Sequence, residues 1–336
     1  MIPILGDLRP PSLLSLQMSD KLRGYVEVRP EHGQPVNFLA VLSGAKPVMD
    51  DWVPRTQLAR LTDMCADLGL VVLPDAQFRA LPDQGAVSQV IGRGTLTTTR
   101  AYGHRLGDDV HDASVHVFIG ADQATVERTL ASGWYPLIIG GRANNKPWID
   151  HLWFGQGLGY PECCLRAFAW SNNWTVNNMP YQAHRAIRTA PSMLCNSLMR
   201  FSGLTWAAHL PCSYDCPVTM SMSSALRALT YQHCPELAGW IDRLARAPYL
   251  VLNEWEAFAF AGARVTPGAI DYSGVTIAPS NRPNLALFEA LTGGSRVELR
   301  DDLVVVLAAD GDVLHVERTA ADGFAPRIPF VLEFAS

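Results

Sequence analysis

Two prolines, Pro161 and Pro217, each stand beside a pair of cysteines, and this arrangement constrains the chain more than anything else in its sequence. Proline suits the first position of a helix, where its missing N–H would have had no partner anyway. Leu165, Phe168 and Ala169 continue the first segment as an apolar stripe, which predicts a helix with Cys163 and Cys164 in its first turn. Met222, Ala225, Leu226 and Leu229 form a second stripe after Pro217, so Cys216 falls at an N-cap and Cys212 in the loop before it. Both thiol pairs thus share one electrostatic setting. The partial positive charge and exposed amides of a helix start favour thiolate over thiol.

Four thiolates are the ligand set of an iron–sulfur cluster or a structural zinc site. Neighbouring side chains on a helix diverge, so Cys163 and Cys164 are expected to suit two irons of a [4Fe-4S]-type cluster, or one ligand and one free thiol, better than one tetrahedral ion. Zn2+ on the same four cysteines is the alternative, and a metal-free thiol redox protein or buried inert thiols are the others. Cys195 and Cys234 read as packing residues or as further ligands, and Cys65 as core. Four further residues are candidates for catalysis. His209, three positions before Cys212, is a candidate acid–base group or a hydrogen-bond partner of a sulfur. Arg166 can bind a carboxylate substrate or make a surface ion pair. Glu162 and Asp215 can move protons, or simply suit the helix dipole.

The motifs Gly159-Tyr160-Pro161-Glu162-Cys163-Cys164 and His209-Leu210-Pro211-Cys212-Ser213-Tyr214-Asp215-Cys216 resemble those of the prokaryotic family catalogued as domain of unknown function number 483. The resemblance covers roughly residues 100–230. It implies a prokaryotic, cytoplasmic protein and adds no activity.

Along the chain the expected class is α/β (α+β), in three regions. Residues 1–146 form a mixed α/β layer, with a strand at Val36–Leu42, a helix at Thr56–Leu68, a strand from Leu70, and β-rich Leu96–Tyr102. A βαβ-like unit follows: strand Val115–Gly120, helix Ala121–Ala131, strand Tyr135–Gly140. Residues 147–262 are helical and cysteine-rich, with a helix at Trp148–Phe154. Residues 263–336 are β-rich, with a hairpin about Asp310-Gly311 that serves packing or a homodimer surface. Gly155-x-Gly157-x-Gly159 has the wrong spacing for a dinucleotide fingerprint and reads as flexible backbone near a cluster. The polar segment His104–Asp112, with His116 beyond it, reads as a solvated loop or a mononuclear metal site.

Composition narrows the function classes. A net charge of −5 argues against nucleic-acid and anionic-membrane partners. No uninterrupted run of 18 apolar residues exists, and the N-terminal stretch lacks the basic start of a signal peptide. Asn173-Trp174-Thr175 therefore carries no weight as a glycosylation acceptor. Neither a Gly-x-Ser-x-Gly elbow nor a P-loop occurs. Only three residues are lysine, Lys21, Lys46 and Lys146, a skew that codon usage in a GC-rich genome explains. Eight of the nine tryptophans lie in or just beyond the middle third, around six of the seven cysteines, which suggests a dry pocket. The expectation is a cytoplasmic iron–sulfur enzyme acting on a small molecule by redox, sulfur-transfer or lyase chemistry. The alternative is a zinc-stabilised binding or scaffold protein.

Overall fold

The computed structural model describes residues 8, 10–30, 33–80, 101–104, 113–132, 137–139, 142–144, 150–172, 178–253, 256–277, 285–319 and 327–335. The chain is a mixed α/β protein, as expected. It carries ten α-helices among these residues, and every strand pair within its sheets runs antiparallel. Its contacts group into two units, residues 19–165 and residues 1–18 with 166–336.

The first unit begins with helices α1 (Asp20–Val28) and α2 (Pro35–Leu42), strand β1 (Val48–Pro54) and helix α3 (Leu58–Asp67). Strands β2 (Val71–Ala80), β3 (Ala101–His104) and β4 (Ser114–Gly120) complete a sheet of order β1-β4-β2-β3. Helix α4 (Gln123–Ser132) follows, then the hairpin β5 (Leu137–Ile139) and β6 (Arg142–Asn144), then helix α5 (His151–Gly157). Asp150 caps α5, its carboxylate accepting from the amides of Leu152 and Trp153. Val48, Phe118, Val126 and Leu158 form the core between sheet and helices, with Phe154 and Tyr160 packed against it.

The expected strand at Val36–Leu42 is instead helix α2. Pro35 starts it, and Val36 to Val41 are all buried, so no polar face marks its period. The strand–helix–strand order of the expected βαβ unit holds, but its two strands do not share a sheet. Among the described residues β4 lies inside the four-stranded sheet, and β5 pairs with β6 alone. The helix expected at Trp148–Phe154 runs from His151 to Gly157; Trp148 lies outside the described residues, as do residues 96–100 of the β-rich stretch.

The glycine string is a packing device. A Cβ on Gly155 would stand 2.1 Å from Cδ2 of Leu165, and one on Gly157 2.1 Å from the Thr129 hydroxyl. Gly159, with φ +74°, turns the chain in the left-handed region, and a Cβ there would meet Pro47 at 2.9 Å.

Helix α6 (Glu162–Asn172) crosses the division at Arg166. The second unit continues with α7 (Met179–Arg185), α8 (Pro217–His233) and α9 (Pro235–Arg246). Two sheets follow. Strands β7 (Tyr249–Val251), β8 (Ala257–Ala261), β11 (Gly274–Ile277) and β15 (Phe330–Leu332) form one, of order β11-β8-β7-β15. The other, of order β14-β13-β12-β10-β9, contains β9 (Arg264–Thr266), β10 (Ala269–Asp271), β12 (Arg296–Arg300), β13 (Leu303–Leu307) and β14 (Val313–Arg318). Helix α10 (Leu285–Gly293) packs Leu287, Phe288 and Leu291 into their shared core with Phe258, Ile270 and Val304. The expected hairpin is β13–β14, and Gly311 at φ +92° turns it.

Candidate metal centre

Cys163 and Cys164 occupy the first turn of α6, and the amides of Cys164 and Leu165 both donate to the Pro161 carbonyl. Pro161 itself precedes the helix by one residue rather than opening it. The turn at Gly159 sets where this helix begins, and Leu165 filling the space at Gly155 fixes its rotation. Cys216 is the N-cap of α8 with Pro217 at its first position, as expected. The stripe expected on α8 differs, however. Its buried residues are Thr219, Ser223, Leu226 and Thr230, while Ala225 is exposed. The hydroxyls of Ser223 and Thr230 donate to the carbonyls of Trp206 and Leu226, which lets a polar stripe be buried.

The loop that carries Cys212 and Cys216 is fixed at many points. Nε2 of buried His209 is 2.9 Å from the Thr219 hydroxyl in the first turn of α8. Oδ2 of Asp215 accepts from the amides of Arg188 and Thr189, at 2.8 and 2.9 Å, and from the Thr189 hydroxyl at 3.0 Å. The Ser213 hydroxyl donates to Oδ1 of the same carboxylate. Burial works against this carboxylate, but the hydrogen bonds outweigh it and hold its pKa at about 2. The Ser192 amide donates to the Tyr214 carbonyl, and buried Tyr214 packs edge-on against Phe334. The Cys195 thiol donates to the Cys216 carbonyl at 3.6 Å.

Here the four sulfurs come together. Sγ of Cys163 lies 3.9 Å from Sγ of Cys164, and the Sγ atoms of Cys163, Cys164, Cys212 and Cys216 all lie within 4.8 Å of one another. The four can hold a metal. Helical neighbours were expected to suit a single ion poorly because they diverge, yet the short Sγ–Sγ distance removes that objection. In the first turn both thiols can swing toward the open helix end. Cys163 is exposed, Cys212 partly so, and Cys164 and Cys216 are buried. Thiolates are soft donors, a set that selects zinc, copper(I) or iron–sulfur clusters over magnesium or calcium.

The remaining candidates are placed as follows. Glu162 and Arg166 are exposed on α6, one residue before Cys163 and two after Cys164. Cys195, Cys234 and Cys65 are buried, and burial pushes the thiols of Cys195 and Cys65 up to about 12. The described tryptophans of that stretch differ in burial: Trp206 and Trp240 are buried, while Trp153 and Trp170 are each 56% exposed; Trp134, Trp148, Trp174 and Trp255 lie outside the described residues. Of the polar segment near His104, residues 105–112 lie outside the described residues. His116 is buried on β4 between two carboxylates, Asp50 and Asp75. Sequence reading missed those partners, which lie 66 and 41 positions away. No spacing in the sequence announces those partners, because the contacts form between separate strands.

No helix among the described residues is long and apolar enough to cross a membrane. Comparison with protein-family models, with curated proteins and with solved structures yields no match.

Proposed function

We propose that Cys163, Cys164, Cys212 and Cys216 bind a single zinc ion, and that the chain is a zinc-stabilised binding or scaffold protein. The spacing of the sulfurs carries this reading. A tetrahedral ion with Zn–S bonds of about 2.3 Å places its sulfurs about 3.8 Å apart. The 3.9 Å between Cys163 and Cys164, and the 4.8 Å bound on the whole set, are close to that edge. A four-iron cube binds each thiolate through a different iron and keeps its own bulk between them, which asks for wider separation. Membership of domain family 483 belongs to the same proposal, since its two motifs supply all four ligands.

The test is metal and sulfide analysis of the freshly isolated chain under anaerobic conditions, with a visible spectrum. One zinc per chain and no colour is the expected result. Iron, with or without sulfide, would overturn the zinc assignment; iron with sulfide would restore the reading of an iron–sulfur enzyme acting on a small molecule. Serine at each of the four positions should lower thermal stability and zinc content together, because a structural zinc site contributes folding energy.

A further inference from the structure

His116 stands on β4, the strand between β1 and β2, with its side chain fully buried and a carboxylate at each ring nitrogen. Nε2 is 3.2 Å from Oδ2 of Asp50, and Nδ1 is 3.4 Å from Oδ2 of Asp75. The two acids come from the two neighbouring strands. Asp50 lies on β1 two residues before Trp52, the register partner of His116, so the pleat puts all three side chains on one face. The Asp75 contact is built by an irregularity in β2. Pro74 pairs with Val117 and Gln77 with Val115, which leaves Asp75 and Ala76 together opposite His116, a bulge of the kind that re-aims a side chain.

Hydrogen-bond counting then sets the protonation state. A neutral imidazole has one donor and one acceptor nitrogen, and an ionised carboxylate only accepts. A neutral ring would turn a lone pair toward one of the aspartates, whereas a cationic ring donates to both. The Trp52 ring, stacked on the imidazole at 4.7 Å, presents the aromatic face that a cation favours. Phe118 meets the imidazole edge-on. The Asp50 and Asp75 side chains are each 23% exposed, so the proton has a route to solvent on the carboxylate side.

We propose that His116 is a cation in the folded chain and that Asp50, His116 and Asp75 form a proton-dependent lock, which ties β4 to β1 and β2 and opens as pH rises. Loss of the ring proton breaks one of the two hydrogen bonds and leaves two carboxylates around a neutral ring. Burial works against the cation, but the hydrogen bonds and charges of the two aspartates outweigh it and raise the His116 pKa. Burial works against the Asp50 carboxylate too, and the His116 hydrogen bond and charge, with the Lys46 charge, hold its pKa low. These signs define the window. A raised imidazole contributes fully below its ordinary value, about pH 6.5, and its contribution is lost as pH rises through the folded value. The lowered Asp50 contributes above about pH 4 and is lost as pH falls through its folded value. None of the four cysteines takes part, so the lock stands or falls apart from the metal.

Nitrogen-15 NMR of the full chain at pH 7, with the His116 ring assigned through its own backbone, tests the protonation state. Both ring nitrogens of His116 should carry protons and show nearly equal shifts, where an ordinary imidazole is mostly neutral. Amide hydrogen exchange tests the lock. After correction for the intrinsic exchange rate, opening at the β4 amides should rise by up to about tenfold per pH unit above pH 6.5, the limit for one linked proton. The amides of β13, in the other unit, should not follow, and in His116→Gln the rise at β4 should be absent. A single-proton tautomer at pH 7 would overturn the cationic assignment. Opening at β4 that ignores pH, or that rises equally in His116→Gln, would overturn the lock. The wild-type chain decides both questions even if the variant fails to fold.

Discussion

Asp215 stands between two of the clustered cysteines, and its four accepted hydrogen bonds make it a brace for the loop. A carboxyl held at about 2 is ionised throughout the neutral range and has no proton to give. The sign of its pH dependence follows. Its folded pKa lies below the ordinary carboxylate value, so its contribution is present above about pH 4 and fades as pH falls toward 2. Asp215→Asn should cost about 1.5–3 kcal/mol in urea denaturation at pH 7, the range for hydrogen bonds to a charged group. The same variant should release metal to a chelator faster. The cysteines were legible in the sequence because Pro161 and Pro217 mark the helix starts beside them. The braces were not. Asp215 meets Arg188 and Thr189, and His209 meets Thr219, across 10 to 27 positions that no local spacing announces.

Glycine inside a helix normally gives way to alanine with a gain of up to about 1 kcal/mol. On α5 the sign should reverse. A Cβ on Gly157 would meet Oγ1, Cγ2 and Cβ of Thr129 at 2.1, 2.7 and 2.8 Å, too many atoms of one side chain for a rotation to clear. Gly157→Ala should therefore destabilise by about 1–3 kcal/mol, and Thr129→Ala in the same chain should recover part of the loss. Thermal denaturation of the four-member cycle checks both. Helices α8 and α9 are joined at Asp242, which accepts from Arg227, the Tyr231 hydroxyl and the Trp206 indole N–H. Asp242→Ala leaves the indole donor buried without this partner and should cost about 3 kcal/mol by urea denaturation. Helices with a polar face were readable in the sequence, and Pro217 marked the start of α8. Helix α2 was not, because a short run buried on all sides has no period, and α8 disguised its inner face with hydroxyl residues.

For the whole molecule, metal occupancy should dominate stability. Zinc bound to the native state alone contributes about 4 kcal/mol when its free concentration is a thousandfold above Kd. Chelation should lower the thermal midpoint, and added zinc should restore it; an unchanged midpoint would show the site to be dispensable for folding. The mixed α/β class and the β13–β14 hairpin were legible because turn residues and alternation are local signals. The pairing of β4 between β1 and β2, and the meeting of His116 with Asp50 and Asp75, depend on contacts distant in sequence. The division of the four clustered cysteines between two segments also sets an order in time. Cys212 follows Cys164 by 48 residues, 212 minus 164. At about 5–20 residues per second, ribosomes deliver the second pair about 2–10 s after the first. During that interval the nascent chain offers Cys163 and Cys164 without their partners, open to oxidation or to the wrong metal, and protection of this half-finished site falls to the cell and not to the fold.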